Sequence, residues 1–272
     1  MPELPEVETV VNQLKKRGIE GREILAVRID WAPMIKPYTK NEFSEKVCSN
    51  KIIKIKRVGK WIIFYLSNNK YLFIHLRMSG NFLKNPSKYD RAEILLSGGI
   101  KLYFKDPRKF GKWILLSDPG IILDRLGPDA ISDNFTFEYF EENLIRRKRM
   151  IKPFLLDQSF IAGIGNIYAD EALWLSKIHP KTSSSSLNIE ERKILFKSIS
   201  DVLEIGIRNK GTSLGKGKSN FKNHDGKRGK NRELVKAYGR NGLLCERCKS
   251  KMEKIYVAQR GTTVCNYCQV LK

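Results

Sequence analysis

Val7, Val10, Val11 and Leu14 recur at the i, i+3, i+4, i+7 spacing of one helix face, which predicts a helix over residues 5–17. Pro5 falls where a first-turn proline is tolerated, and Gly18 stands where the helix can close. From about residue 22 to 117 the period changes. Ile53-Lys54-Ile55-Lys56 alternates, and Trp61–Leu66, Tyr71–Leu76, Glu93–Leu96, Lys101–Phe104 and Trp113–Leu116 are short β-branched or aromatic runs. Turn residues such as Ser67-Asn68-Asn69 and Ser97-Gly98-Gly99 separate them. Strands at this spacing predict an antiparallel sandwich or barrel. Beyond Pro128 the pattern is helical, over Phe137–Arg146, Asn166–Leu175 and Asn188–Ile207. The last begins with Asn188 and carries Glu191 three residues on, a capping-box arrangement.

Charge changes the picture more than length does. The 272 residues hold 51 Lys+Arg against 29 Asp+Glu, a net charge of +22. Such a chain asks for a polyanionic partner, because cations that neutralise phosphates release condensed counterions. No basic amphipathic helix with a strong apolar face stands out, so nucleic acid is favoured over a membrane surface. The longest apolar runs, such as Trp61–Leu66, are far below the roughly 18 residues of a membrane span. Glu3, Glu6 and Glu8 stand where a secretion signal carries basic residues, so the expected location is cytoplasmic. Residues 208–240 hold eleven Lys/Arg against Asp225 and Glu233, broken by six glycines, and read mostly as loop.

Cys245-x2-Cys248 and Cys265-x2-Cys268 lie sixteen residues apart, inside the spacing of zinc ribbons, in which two thiolate pairs complete a tetrahedron. Two disulfides or four unrelated thiols are the alternatives, and the acidic start argues against disulfides. Four Cys ligands leave no open coordination position, so the expected zinc is structural. Cys48 reads as a small hydrophobe. With His75, His179 and His224 the only histidines, the residues argue against a His-rich catalytic metal site.

The first residues are themselves a chemical group. Removal of Met1 exposes the secondary amine of Pro2, and an α-amino group, with an unperturbed pKa of roughly 8, is partly neutral and nucleophilic near pH 7. Such an amine attacking a sugar C1′ gives an iminium ion directly. Glu3 can protonate the sugar ring oxygen, and Glu6 can hold the amine and a water. A solvated, mobile terminus is the alternative.

Met1-Pro2-Glu3-Leu4-Pro5-Glu6-Val7-Glu8 resembles the start of the bacterial formamidopyrimidine-DNA glycosylases. His75-Leu76-Arg77-Met78-Ser79-Gly80, Asp106-Pro107-Arg108-Lys109-Phe110-Gly111, the run from Gly163 to Glu171 and the terminal Cys pairs resemble that family too, in the family's order. The resemblance implies an α+β repair enzyme: an N-terminal antiparallel β-sandwich with flanking helices, then a helix–two-turn–helix domain and a C-terminal zinc finger. The expected boundaries are 1–131 for the catalytic domain, 132–234 for the helical domain with its basic loop, and 235–272 for the zinc finger. The expected activity is excision of 8-oxoguanine and formamidopyrimidines from duplex DNA, followed by β,δ-elimination.

By the same resemblance Pro2 is the Schiff-base nucleophile and Glu3 the proton donor, with Glu6 in support and Lys60 donating a proton in strand cleavage. Met78 fills the gap left by the extruded nucleotide, Phe110 wedges beside the orphaned base, and Arg108 offers donors to the orphan cytosine. Taken singly, Met78 and Phe110 read as core and Arg108 as a solvated charge. Lys152 matches a lysine near the DNA backbone, Asn166 a phosphate ligand at a helix start, and Arg260 a phosphate-binding arginine; a plain N-cap is the other reading of Asn166. The segment Leu214–Asn220 lies where the family carries a loop that closes over the flipped base, and here it is unusually rich in Lys and Gly. An endonuclease VIII-type enzyme for oxidised pyrimidines and a non-catalytic zinc-ribbon DNA binder are the competing readings. The expected partner is damaged duplex DNA, with no membrane, and the expected working form is a monomer.

Overall fold

The computed structural model describes residues 1–215, 217 and 220–272. Lys216, Lys218 and Ser219 of the basic segment lie outside the described residues. The described residues fall into two compact units, residues 1–123 with 206–232, and residues 124–205 with 233–272.

In the first unit, helix α1 (Leu4–Lys16) buries Val7, Val10, Val11 and Leu14, the face that the apolar spacing defines. Strand β1 (Ile24–Ile29) and helix α2 (Lys40–Val47) follow. Neither carries a strong pattern: β1 buries only its two ends, and α2 is declared by its Thr39/Glu42 capping box. Strands β2 (Ile52–Val58), β3 (Trp61–Leu66) and β4 (Tyr71–His75) then form a meander. Strands β5 (Asn81–Leu83), β6 (Asp90–Leu96), β7 (Ile100–Lys105) and β8 (Lys112–Leu116) complete two four-stranded antiparallel sheets, ordered β1-β6-β7-β5 and β2-β3-β4-β8. The three-residue β5 is too short to show a period in sequence.

Side chains alternate across a pleated strand, so every second residue of each sheet faces one core. That face carries Ala92, Ile94 and Leu96 on β6, and Ile62, Phe64 and Leu66 on β3. Four aromatic rings join the two sheets. Phe82 lies 6.0 Å from Phe64 and 5.8 Å from Trp113, while Phe104 lies 5.3 Å from both Phe82 and Trp113. The sandwich reading therefore holds over the barrel. A short helix, α3 (Gly120–Leu123), ends this part of the chain.

The second unit holds α4 (Phe137–Arg146), α5 (Ile151–Leu155), α6 (Asn166–Leu175) and most of α7 (Ile189–Arg208). Asn188 and Glu191 exchange the expected capping bonds, Asn188 N to Glu191 Oε2 at 3.0 Å and Glu191 N to Asn188 Oδ1 at 2.9 Å. Phe154 stacks on Phe160 at 4.1 Å, and Phe140 and Phe196 close around them. Strands β9 (Glu253–Val257) and β10 (Arg260–Val264) form a hairpin near the C-terminus. Among the described residues, no helix is long and apolar enough to cross a membrane.

Phe82 is wholly buried where the two sheets meet. Phe82→Ala is expected to cost about 3–5 kcal/mol, by lost transfer energy and the cavity left behind. Denaturant unfolding followed by tryptophan fluorescence measures this, and a loss below about 1 kcal/mol contradicts the aromatic junction as the centre of the core.

Candidate active site

Met1 is exposed, but the chain is enclosed from Pro2 onward. Pro2 is buried, and Glu3 and Glu6 are 2% and 1% exposed. Glu3 caps α1 and Glu6 stands at its third position, a capping box. Glu6 accepts the Glu3 N–H at Oε2 (2.8 Å) and the Thr212 N–H at Oε1 (2.7 Å). Its carboxylate thus ties the helix start to a segment more than 200 residues downstream. Gly211 makes this approach feasible: its φ is +80°, and a Cβ there would come within 2.9 Å of Glu6 Cγ. The N-terminal end of the helix dipole also favours a carboxylate at this place.

Lys60, 6% exposed, sits in the tight β2–β3 turn. That turn is bound to α1 through Arg57, whose Nε meets Glu8 Oε2 at 2.6 Å and whose Nη1 donates to the Gly59 carbonyl at 3.1 Å. Glu8 and Arg57 are placing residues that sequence reasoning missed, though Glu8 lies inside the N-terminal motif. His75 lies nearby on β4. Burial, then the charges of Arg77, Lys60 and Lys112, push its imidazole down to about 3, so it is neutral at physiological pH. Its Nδ1 accepts the Arg77 N–H at 2.9 Å, which leaves Nε2 to carry the proton and donate.

Two tight turns stand beside this group. Ser79 Oγ donates to Asp106 Oδ1, Gly111 N donates to Asp106 Oδ2 at 2.7 Å, and Arg108 N donates to Ser79 Oγ at 3.2 Å. The carboxylate of Asp106 therefore holds residues 77–80 and 106–111 together. Gly111 is needed because a Cβ there would come within 2.8 Å of the Phe104 ring. The turns push Met78 and Phe110 outward, 40% and 49% exposed, against their reading as core. The Arg108 guanidinium lies 5.0 Å from the Phe110 ring centre. A cleft of about 10 Å³ is lined by Pro2, Met78, Ser79, Asn220, Phe221 and Lys222.

In the second unit Asn166 is the first residue of α6, and Gly165 takes the N-cap position, which corrects the reading of Asn166 as a plain cap. Its side-chain amide donates to the Gly261 carbonyl at 3.0 Å. Arg260 is exposed at the start of β10, just beyond the hairpin turn of Ala258 and Gln259. Lys152 departs from expectation. Its side chain is fully enclosed, with Nζ 2.5 Å from Asp170 Oδ1 and 2.7 Å from Thr262 Oγ1. Asp170 in turn accepts the Thr263 N–H at 3.2 Å. The ammonium faces a carboxylate and β10 rather than a surface, so it holds the hairpin that carries Arg260.

The four paired cysteines converge, with all four sulfur atoms within 4.8 Å of one another. Cys245 and Cys268 Sγ are 4.0 Å apart, and Cys248 and Cys265 Sγ 3.4 Å. These exceed a disulfide bond of roughly 2.05 Å and bracket the roughly 3.8 Å edge of a tetrahedron of thiolates 2.3 Å from a metal. The donor set fits a closed metal site. Trp174 Nε1 donates to Cys245 Sγ at 3.4 Å, and Gln269 accepts the Cys265 N–H at 3.1 Å. Glu171, buried on α6, accepts the N–H groups of Lys236, Ala237 and Tyr238 at 2.7, 2.8 and 2.7 Å, fixing the chain as it enters the cysteine module. Cys48, apart from this cluster, packs half-buried against the sandwich core.

Residues 1–113 match the formamidopyrimidine-DNA glycosylase N-terminal domain, and residues 126–217 match the formamidopyrimidine-DNA glycosylase H2TH domain. A formamidopyrimidine-DNA glycosylase of Protochlamydia amoebophila is 43% identical over 99% of both chains. The chain belongs to the formamidopyrimidine-DNA glycosylase family. Among solved members, a Lactococcus lactis Fpg in complex with DNA containing an abasic site superposes with a TM-score of 0.89 at 34% identity, over 98% of this chain and 99% of that one. A MutM in complex with DNA containing carbocyclic 8-oxo-G gives 0.88 at 35% identity, over 99% and 100%. The family's opening motif thus corresponds here to a buried helix cap, and its terminal cysteines to a metal-competent cluster.

Removing one partner of a buried ion pair strands the other charge, at a cost of about 3–5 kcal/mol. Lys152→Met is therefore expected to lose that much stability in thermal or denaturant unfolding, and Lys152→Met with Asp170→Asn to lose distinctly less. Equal losses in single and double variants contradict the pair as drawn.

Proposed function

We propose that the chain is a bifunctional DNA glycosylase and abasic-site lyase that excises 8-oxoguanine and formamidopyrimidines from duplex DNA. The observation that carries this reading is the enclosure of Pro2 at the head of α1, beside two buried carboxylates and a cleft bordered by exposed Met78. With Met1 removed, the Pro2 nitrogen attacks C1′ of the damaged nucleotide, and the base leaves with the electrons of its glycosidic bond. Glu3 protonates the sugar ring oxygen as the ring opens to the iminium ion. Loss of a C2′ proton then expels the 3′ phosphate, and a second elimination expels the 5′ phosphate. Lys60 supplies protons in these eliminations. Glu6, held by two backbone amides, keeps the helix start in place.

The exposed turns suit a base-flipping enzyme. Extrusion leaves a gap in the stack, and an apolar side chain held out by a rigid turn fills it at low entropy cost. Met78 takes that role, Phe110 wedges beside the orphaned base, and Arg108 donates to the acceptors of the orphan cytosine. Asn166 and Arg260 bind backbone phosphates, and Lys152 supports Arg260 from behind. The net charge of +22 supplies the salt-sensitive part of the affinity. We assign a structural zinc to the four cysteines, where the closed thiolate set leaves no coordination position for chemistry. The enzyme works as a monomer, in the compartment that holds the DNA.

Borohydride reduction tests the chemistry. The purified protein is expected to become covalently trapped on a duplex carrying 8-oxoguanine opposite cytosine, with Met1 absent from the trapped species by mass spectrometry. Pro2→Gly weakens trapping, acetylation of the N-terminus abolishes it, and Glu3→Gln lowers base release by about 10²–10⁴-fold. Stronger trapping on a thymine glycol duplex favours the endonuclease VIII-type activity, and no trapping on either duplex overturns the enzyme reading. Metal analysis is expected to return about one zinc per chain, lost in Cys248→Ala together with most DNA affinity; zinc-free protein with full affinity contradicts that assignment.

A further inference from the structure

Residues 220–222 form the wall of the cleft that faces Pro2, so whatever fixes that wall sets where a base is held. Its upstream end is fastened to the site itself: Thr212 N bonds Glu6, and Gly229 N donates to Ser213 Oγ at 2.9 Å. Ser213 Oγ also donates to the Phe221 carbonyl at 2.6 Å. The downstream end converges on one residue. His224 is 3% exposed, and every polar atom of it has a partner from another element. Its N–H donates to Gln13 Oε1 at 2.7 Å, and its carbonyl accepts the Lys84 N–H at 3.2 Å. Its ring spans Phe82 O, 3.0 Å from Nδ1, and Arg17 Nη1, 2.9 Å from Nε2.

Those two ring partners dictate the state of the imidazole. A carbonyl only accepts, so Nδ1 carries the proton; a guanidinium only donates, so Nε2 is bare. We propose that His224, as a neutral imidazole bridging Arg17 and the Phe82 carbonyl, is the positioning residue that fixes the cleft wall for the damaged base. The proposal rests on the glycosylase reading above. The cleft of about 10 Å³ holds little more than one water, so admitting a base requires part of its lining to be displaced, and the root at His224 fixes the position of the Asn220–Lys222 side.

The charges facing His224 are Arg17 at the C-terminal cap of α1, Lys84 after β5, and Asp225 on its own segment. Burial holds the imidazole below its ordinary value, with Arg17 and Lys84 acting in the same direction and the Phe82 bond and Asp225 against it. The sign follows. The unfolded chain, titrating near 6.5, takes up the proton first as pH falls, so the anchor is intact at neutral pH and weakens on acidification.

The test compares two duplexes in single-turnover kinetics: one with 8-oxoguanine, which needs the base wall, and one with a preformed abasic site, which has no base to hold. His224→Leu is expected to slow base excision by about tenfold or more while abasic-strand cleavage stays within about twofold. His224→Asn, whose amide can still donate to Phe82 O, is expected to recover part of the loss. Arg17→Met, which removes the Nε2 partner along with a bond to the Lys101 carbonyl, repeats the test should His224→Leu fail to fold. Equal losses on both duplexes, or no loss on either, overturns the proposal. Wild-type protein inert on both duplexes overturns the glycosylase reading, and this inference with it.

Discussion

The carboxylate of Glu6 is the constraint on which the site depends. One oxygen closes the cap of α1 on Glu3 N and the other holds Thr212 N, so a single side chain joins the first turn of the molecule to a loop root far along the chain. A chain terminus is normally the least ordered part of a domain. Here it is enclosed because leaving a buried carboxylate without its N–H partners costs more than ordering a few residues. That enclosure holds Pro2 in one orientation at the head of α1.

The same economy recurs at two other places. Asp106 bridges two turns through Ser79 and Gly111, and the rigidity so gained lets Met78 and Phe110 stay exposed without collapsing inward. In the second unit, Asp170 and Lys152 neutralise each other inside the protein while their remaining bonds reach the Thr262 and Thr263 positions of β10. In each case a buried acid spends its hydrogen bonds on backbone or hydroxyl groups of a turn or hairpin, and a neighbouring residue is thereby presented outward. Glu171 does the same for the entry to the cysteine module.

Much of this was legible in the residues. The apolar face of α1, the β3 and β4 runs, the Asn188/Glu191 cap and the paired cysteines are local patterns whose period or spacing is their physical cause. The motif likeness placed Pro2, Glu3 and Glu6 in one site, and the fold brings them together at one helix cap. Strand β1 and the three-residue β5 were not legible, because a strand with few inward residues or few residues at all has no readable period.

By itself the sequence determined what each short stretch becomes: helix, strand, helix cap, pair of clustered cysteines. Propensity, periodicity and ligand spacing act over a few residues, and so they survive in one dimension. The tertiary structure alone decided partnerships at long range. Residues 206–232 pack with the first unit, Lys152 is an interior cation, and Met78 and Phe110 face outward. The bond between Glu6 and Thr212 crosses 206 positions and that between His224 and Phe82 crosses 142. No local preference encodes such pairs; they follow from which buried polar groups the packed chain must satisfy, and with what.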